Sequence, residues 1–125
     1  MLFITFFSCK NEAKEETKIS ENTVQTDIQL IQFHTEHRCV TCNNIEKLSK
    51  ETIKGNEAIS FVLYNVDDEK NAKVAEQFEA TGTSLYLYNS KTKATKDLTE
   101  MAFMYAKNEG DKFKTELQKE ISEFK

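Results

Sequence analysis

The chain has 125 residues, enough for one domain that buries a core without depending on several disulfides or a structural metal. Acidic residues outnumber basic ones by 21 to 17 and no long basic run occurs, which excludes nucleic-acid binding by electrostatics and attachment to anionic lipid by charge alone. With no proline, three glycines and no repeat period, collagen-like, proline-rich and solenoid architectures are excluded as well.

At the start, the apolar run Met1-Leu2-Phe3-Ile4-Thr5-Phe6-Phe7 is too short to span a bilayer as a helix and short even for the core of a secretory signal. Phe6-Phe7-Ser8-Cys9, followed by the polar Lys10-Asn11-Glu12, resembles the end of a bacterial lipoprotein signal, in which the peptide is cut before a cysteine that then carries lipid. The resemblance departs from the usual pattern at Phe6, where leucine is common, and in lacking a basic front. It implies a signal remnant over residues 1–9, a lipidated Cys9, and a domain held outside the cytoplasm at a bacterial membrane, touching that membrane through the anchor only. The alternative is a frayed apolar terminus with an idle thiol. Residues 10–26 interleave Glu12, Glu15, Glu16 and Glu21 with Lys10, Lys14 and Lys18 and offer almost nothing to bury, the composition of a flexible tether. Such a segment would span about 20–25 Å root-mean-square.

The domain proper is expected over residues 27–125. Ile28, Leu30, Ile31 and Phe33 predict a first strand, and Cys39 to Lys54 predicts a helix with Ile45, Leu48 and Ile53 on one side and Gly55 as its C-cap. Ile59-Ser60-Phe61-Val62-Leu63-Tyr64-Asn65-Val66 is almost continuously apolar or β-branched, which predicts a strand covered on both faces and, after an intervening helix, parallel to the first. Asp67 and Asp68 supply N-cap chemistry for a helix reaching Phe78, with Ala72, Val74, Ala75 and Phe78 as its buried side and Gly82 ending the unit. Leu85-Tyr86-Leu87-Tyr88 and Lys93 to Asp97 flank the polar Asn89-Ser90-Lys91-Thr92, an antiparallel hairpin. A short helix is expected after Thr99 from Met101, Phe103, Met104 and Tyr105, and a last one, capped by Asp111, from the helical spacing of Phe113, Leu117, Ile121 and Phe124. The fold class is therefore α/β: a parallel βαβ unit followed by an antiparallel hairpin in one mixed four-stranded sheet, flanked by helices.

Chemistry concentrates in Phe33-His34-Thr35-Glu36-His37-Arg38-Cys39-Val40-Thr41-Cys42. Two sulfurs three positions apart at the head of a helix lie one turn apart on one face and can close a disulfide. Cys39, nearest the helix start, meets unpaired backbone N–H groups and the positive end of the macrodipole, so it is the expected nucleophile. Arg38 and His37 are expected to lower its pKa further by their charge. Cys42 would then resolve the mixed disulfide formed with a protein or small-molecule partner. A purely structural CxxC disulfide is the alternative, although so short a loop gives little loop-closure stabilisation. Asp67 and Asp68 are read as caps rather than an acid–base pair, and Tyr64, Tyr86 and Tyr88 as packing residues.

The element order resembles thioredoxin-like proteins over roughly residues 27–125. More narrowly, Phe33-His34, Arg38-Cys39-Val40-Thr41-Cys42-Asn43, Asn65-Val66-Asp67, Gly82-Thr83-Ser84-Leu85, Asp97-Leu98-Thr99 and Ala102-Phe103-Met104-Tyr105-Ala106 resemble the small ArsF-type family, whose members are labelled as a subunit of a nitrophenyl-compound reductase. The first resemblance implies thiol–disulfide exchange. It also implies substrate contact at Thr83 and Ser84, with Ser84 standing where that fold has a cis-proline. Because a non-proline cis bond costs about 3–4 kcal/mol, the Thr83–Ser84 peptide is expected to be trans. Arg38 replaces a tryptophan, and Phe33 stands where thioredoxin keeps a buried carboxylate. The family label implies nitro reduction or a non-catalytic place in a reductase complex. The chain shows no phosphate-cradling glycine fingerprint, so no nicotinamide or flavin cofactor is expected.

Metal binding is the rival of a different class. His34, His37, Cys39 and Cys42 put two imidazoles and two thiolates within nine positions, a set that suits zinc or copper. Against it, His34 would end a strand while the cysteines belong to a helix.

Overall fold

A computed structural model describes residues 27–124. The signal remnant at residues 1–9 with Cys9, and the tether at residues 10–26, lie outside the described residues. In chain order the elements are β1 (Ile28–His34), α1 (Val40–Ile53), β2 (Ile59–Asn65), α2 (Ala72–Gln77) entered through a 3-10 turn at Glu69–Asn71, β3 (Ser84–Asn89), β4 (Thr95–Asp97), α3 (Thr99–Ala106) and α4 (Gly110–Glu123). The sheet order is β2-β1-β3-β4, with β1 and β2 parallel and the β1–β3 and β3–β4 pairs antiparallel. This is the mixed four-stranded sheet expected from the sequence, a parallel pair joined to an antiparallel hairpin.

Strand alternation sorts the side chains onto two faces. Leu30, Leu85 and Leu87 face α1, α3 and α4, where they join Ile45, Ile53, Leu98, Ala102, Ala106, Phe113 and Leu117 in one mainly aliphatic cluster. Ile31, Phe33 and Tyr86 face the other way and pack with Ala75, Phe78 and Ala80 beneath α2. Phe113 and Leu117 are fully buried, each worth about 1.5–3 kcal/mol of hydrophobic stabilisation. Helix α4 begins close against α1: a Cβ at Gly110 would stand 3.2 Å from Leu48 Cδ2.

Several local expectations are corrected. β2 is an edge strand whose only buried residue is Ile59, because its apolar run faces neighbours on both sides but has a paired strand on one. Gly55 takes the left-handed conformation (φ 84°) one position beyond the C-cap, Lys54. The helix expected from Asp67 to Phe78 is split into a 3-10 turn and a short α2, and Ala72 is exposed. Asp68 does cap the turn through Lys70 N–H, whereas the Asp67 carboxylate accepts from Glu36 N–H, 31 positions away. The chain turns out of α2 at Glu79 (φ 57°), not at Gly82. β4 is confined to Thr95–Asp97, since Asn89 Oδ1 gathers the N–H groups of Lys91 and Thr92 and Lys93 sits at φ 69° in the turn. Asp111 lies in the first turn of α4, and the N-cap position belongs to Glu109. Among the described residues no helix is long and apolar enough to cross a membrane.

Candidate active site

The C-terminal ends of β1 and β2 point toward the start of α1, and the chain reaches that helix through residues 35–38. Cys39 is the N-cap of α1, extended at φ −90° and ψ 172°, with its sulfur accepting from Cys42 N–H at 3.4 Å. It is therefore just outside the first helical turn, and Cys42 is inside it. The two sulfurs are 3.1 Å apart and unbonded to each other. Their surroundings differ sharply: Cys39 is exposed, and Cys42 is 2% exposed.

The Cys39 thiol is pulled below its ordinary pKa, first by the hydrogen bond from the Cys42 thiol, then by Cys42 N–H, opposed by burial, with smaller contributions from the Thr41 and Cys39 N–H groups. Those donors stabilise the thiolate. The expected help from Arg38 and His37 is not what dominates. The Arg38 guanidinium is 2.6 Å from the Glu46 carboxylate, which Lys50 also contacts at 2.7 Å, so its charge is matched locally. Lys50 and Arg38 together hold the Glu46 carboxyl below the usual carboxylate range. His37 is exposed, and its carbonyl accepts from the Thr35 hydroxyl.

Cys42 is enclosed by two further groups. Thr83 Oγ1 is 2.9 Å from its sulfur, and Gln32 Nε2 donates to its carbonyl at 3.0 Å. Gln32 is fully buried on the α1 side of β1, and its Oε1 has no partner. Sequence reasoning missed Gln32. The position where the thioredoxin resemblance has a buried carboxylate is Phe33, and its ring turns to the opposite face and stacks on Tyr64 at 5.5 Å. The available signal was the alternation itself: a carboxamide two positions after Leu30 shares the face that α1 covers.

Of Thr83 and Ser84, Thr83 is the one brought against the cysteines. Thr83 is turned onto Cys42, while the Ser84 hydroxyl donates to the Gly82 carbonyl at 3.2 Å. The peptide between them is trans. The four candidate metal ligands do not converge. His34 Nδ1 donates to the Thr35 carbonyl at 2.7 Å, and among the described residues no group of three His, Cys, Asp or Glu side chains forms a metal site. Tyr86 and Tyr88 pack against Phe78, with ring centroids 5.2 Å away in each case, and do not line the sulfur pair.

No protein-family model matches the chain, and no curated protein sequence matches it. Among solved structures, it is similar to thioredoxin f2 of Chlamydomonas reinhardtii at 20% identity and a TM-score of 0.47, over 64% of this chain and 75% of that one. It is also similar to the structure of a malarial protein, at 20% identity and a TM-score of 0.45, over 64% of this chain and 94% of that one.

Proposed function

We propose that the domain exchanges electrons with a partner disulfide or dithiol through Cys39 and Cys42, as a thiol–disulfide oxidoreductase. The observation that carries this reading is the asymmetry of the pair: an exposed N-cap thiol with a lowered pKa, and a buried thiol 3.1 Å behind it. An exposed thiolate can reach a partner's disulfide, and a buried neighbour in contact can attack the mixed disulfide before it diffuses away. A structural bridge needs neither feature. The Thr83–Ser84 segment, brought beside Cys42, is the edge against which a bound partner would lie.

The wider setting belongs to the same proposal. A lipid on Cys9 and a tether over residues 10–26 would hold the domain at the outer side of a bacterial membrane, where disulfide chemistry is at home. Membership of the ArsF-type family is proposed on the motifs around Cys39, Asn65, Gly82 and Asp97, and thiol exchange is the part of that family's label these residues support.

Trapping tests the exchange directly. Cys42→Ser should accumulate mixed disulfides through Cys39 in the native compartment, and Cys39→Ser should trap little; an empty Cys42→Ser trap counts against the reading. Mass analysis of the native N-terminus tests the anchor, since an unmodified Met1 in a soluble fraction contradicts it.

A further inference from the structure

We propose that Thr83 is a positioning residue for this exchange: its hydroxyl donates to the Cys42 sulfur, aims the Cys42 S–H at Cys39, and stabilises the negative charge Cys42 carries once it gives up its proton to attack. The inference deepens the exchange reading and rests on it.

Proton counting gives the direction. The Cys42 sulfur has two close neighbours, Cys39 Sγ at 3.1 Å and Thr83 Oγ1 at 2.9 Å, and only one proton to give. A Cys39 thiolate can only accept, so the Cys42 proton goes to it. The contact with Thr83 must then be made by the Thr83 proton. The result is a one-way chain, Thr83 O–H to Cys42 S–H to Cys39 S⁻, in which each bond polarises the next. The neighbouring hydroxyl cannot substitute, because Ser84 donates to the Gly82 carbonyl. Gln32 Nε2 is likewise engaged, at the Cys42 carbonyl, and holds that turn of the helix in place.

The need for such a donor follows from burial. Cys42 is 2% exposed, so water cannot solvate a thiolate there, and an uncompensated charge would make the resolving step slow. In the full reaction, the Cys39 thiolate attacks a disulfide RS–SR, forming Cys39–S–SR and releasing RS⁻. The Cys42 sulfur then attacks Cys39 Sγ, and the bond from Cys39 to SR breaks with its electron pair leaving on the second RS⁻. One departing thiolate takes the Cys42 proton. Two electrons leave the protein, the Cys39–Cys42 bond forms, and the products are RSH and RS⁻. The Thr83 hydroxyl stays hydrogen-bonded to Cys42 throughout and is neither consumed nor ionised.

The test uses the full chain carrying Cys9→Ser, so that only the pair reacts, mixed with an aromatic disulfide that releases a coloured thiolate. Two equivalents should appear in two phases, the first reporting Cys39 attack and the second Cys42 resolution. Thr83→Val, and equally Thr83→Ala, should slow the second phase about three- to tenfold, the usual weight of one hydrogen bond. Either variant should also raise the pH midpoint of Cys39 alkylation, and Thr83→Ser should restore both. If the Cys9→Ser chain releases two equivalents and both hydroxyl-free variants match it in second-phase rate and pH midpoint, the role of Thr83 is refuted and the exchange reading stands. If the Cys9→Ser chain releases only one, both fall.

Discussion

The two faces of the sheet are built differently. On one, three helices lie over a large, mainly aliphatic cluster in which Leu30, Ile45, Leu85, Leu87, Phe113 and Leu117 are fully buried. On the other, a six-residue α2 and a 3-10 turn lie over a smaller cluster of rings, where Phe33, Phe78 and Tyr86 meet at centroid distances of 5.2–5.9 Å. The sulfur pair belongs to the first face, because α1 carries it. Thr83 arrives from the second, at the end of the stretch that follows α2. A helix packed on the first face and a segment arriving from the second thus meet at Cys42, so the geometry of the site depends on both faces.

Phe113→Ala should have the largest effect. It empties a fully buried ring position between α4 and the sheet and is expected to cost about 3–5 kcal/mol in denaturant unfolding. Tyr86→Phe probes the thinner face: its hydroxyl donates to the Phe78 carbonyl at 3.1 Å inside the ring cluster, and its removal should cost about 1–2 kcal/mol while the first phase of disulfide attack stays unchanged. If Tyr86→Phe slowed Cys39 attack as much as it lowered stability, the two faces would not be separable. Glu46→Gln should cost only about 0.5–1 kcal/mol, since the ion pairs with Arg38 and Lys50 are partly exposed. The sign follows from the depressed Glu46 pKa: its contribution is present above the ordinary carboxylate range and lost as pH falls through the lowered value, so wild type and variant should converge in acid. The smallest effect is expected of Gln32→Leu. That change removes the bond to the Cys42 carbonyl but also the partnerless buried Oε1, leaving unfolding within about 0.5 kcal/mol of wild type.

The order of elements, the parallel pairing of β1 and β2, the hairpin and the CxxC pair were legible because each has a local signature: a period, a turn composition or a fixed spacing. What the sequence concealed depends on groups far apart along the chain. Asp67 reads as a cap until its partner, Glu36 N–H, is known, and Arg38 reads as a field on Cys39 until Glu46 is seen to match it. The histidines illustrate the same limit, since closeness in sequence put His34 and His37 with the cysteines and the turn between strand and helix separates them. Gln32 was hidden for another reason: a carboxamide in an apolar strand suggests a surface position, and only the packing of α1 over Leu30 and Gln32 puts it in the interior.

The bond from Glu36 N–H to Asp67 Oδ2, at 2.8 Å, stitches the entry to the CxxC helix onto the exit from β2. An exposed residue on a connecting segment would ordinarily trade its amide hydrogen with solvent almost at once, whereas this one can do so only when the stitch opens. The Glu36 amide is therefore a built-in gauge three positions from the nucleophile, whose deuterium uptake in the oxidised and reduced forms would register whether closing the sulfur bridge loosens or tightens the approach to it.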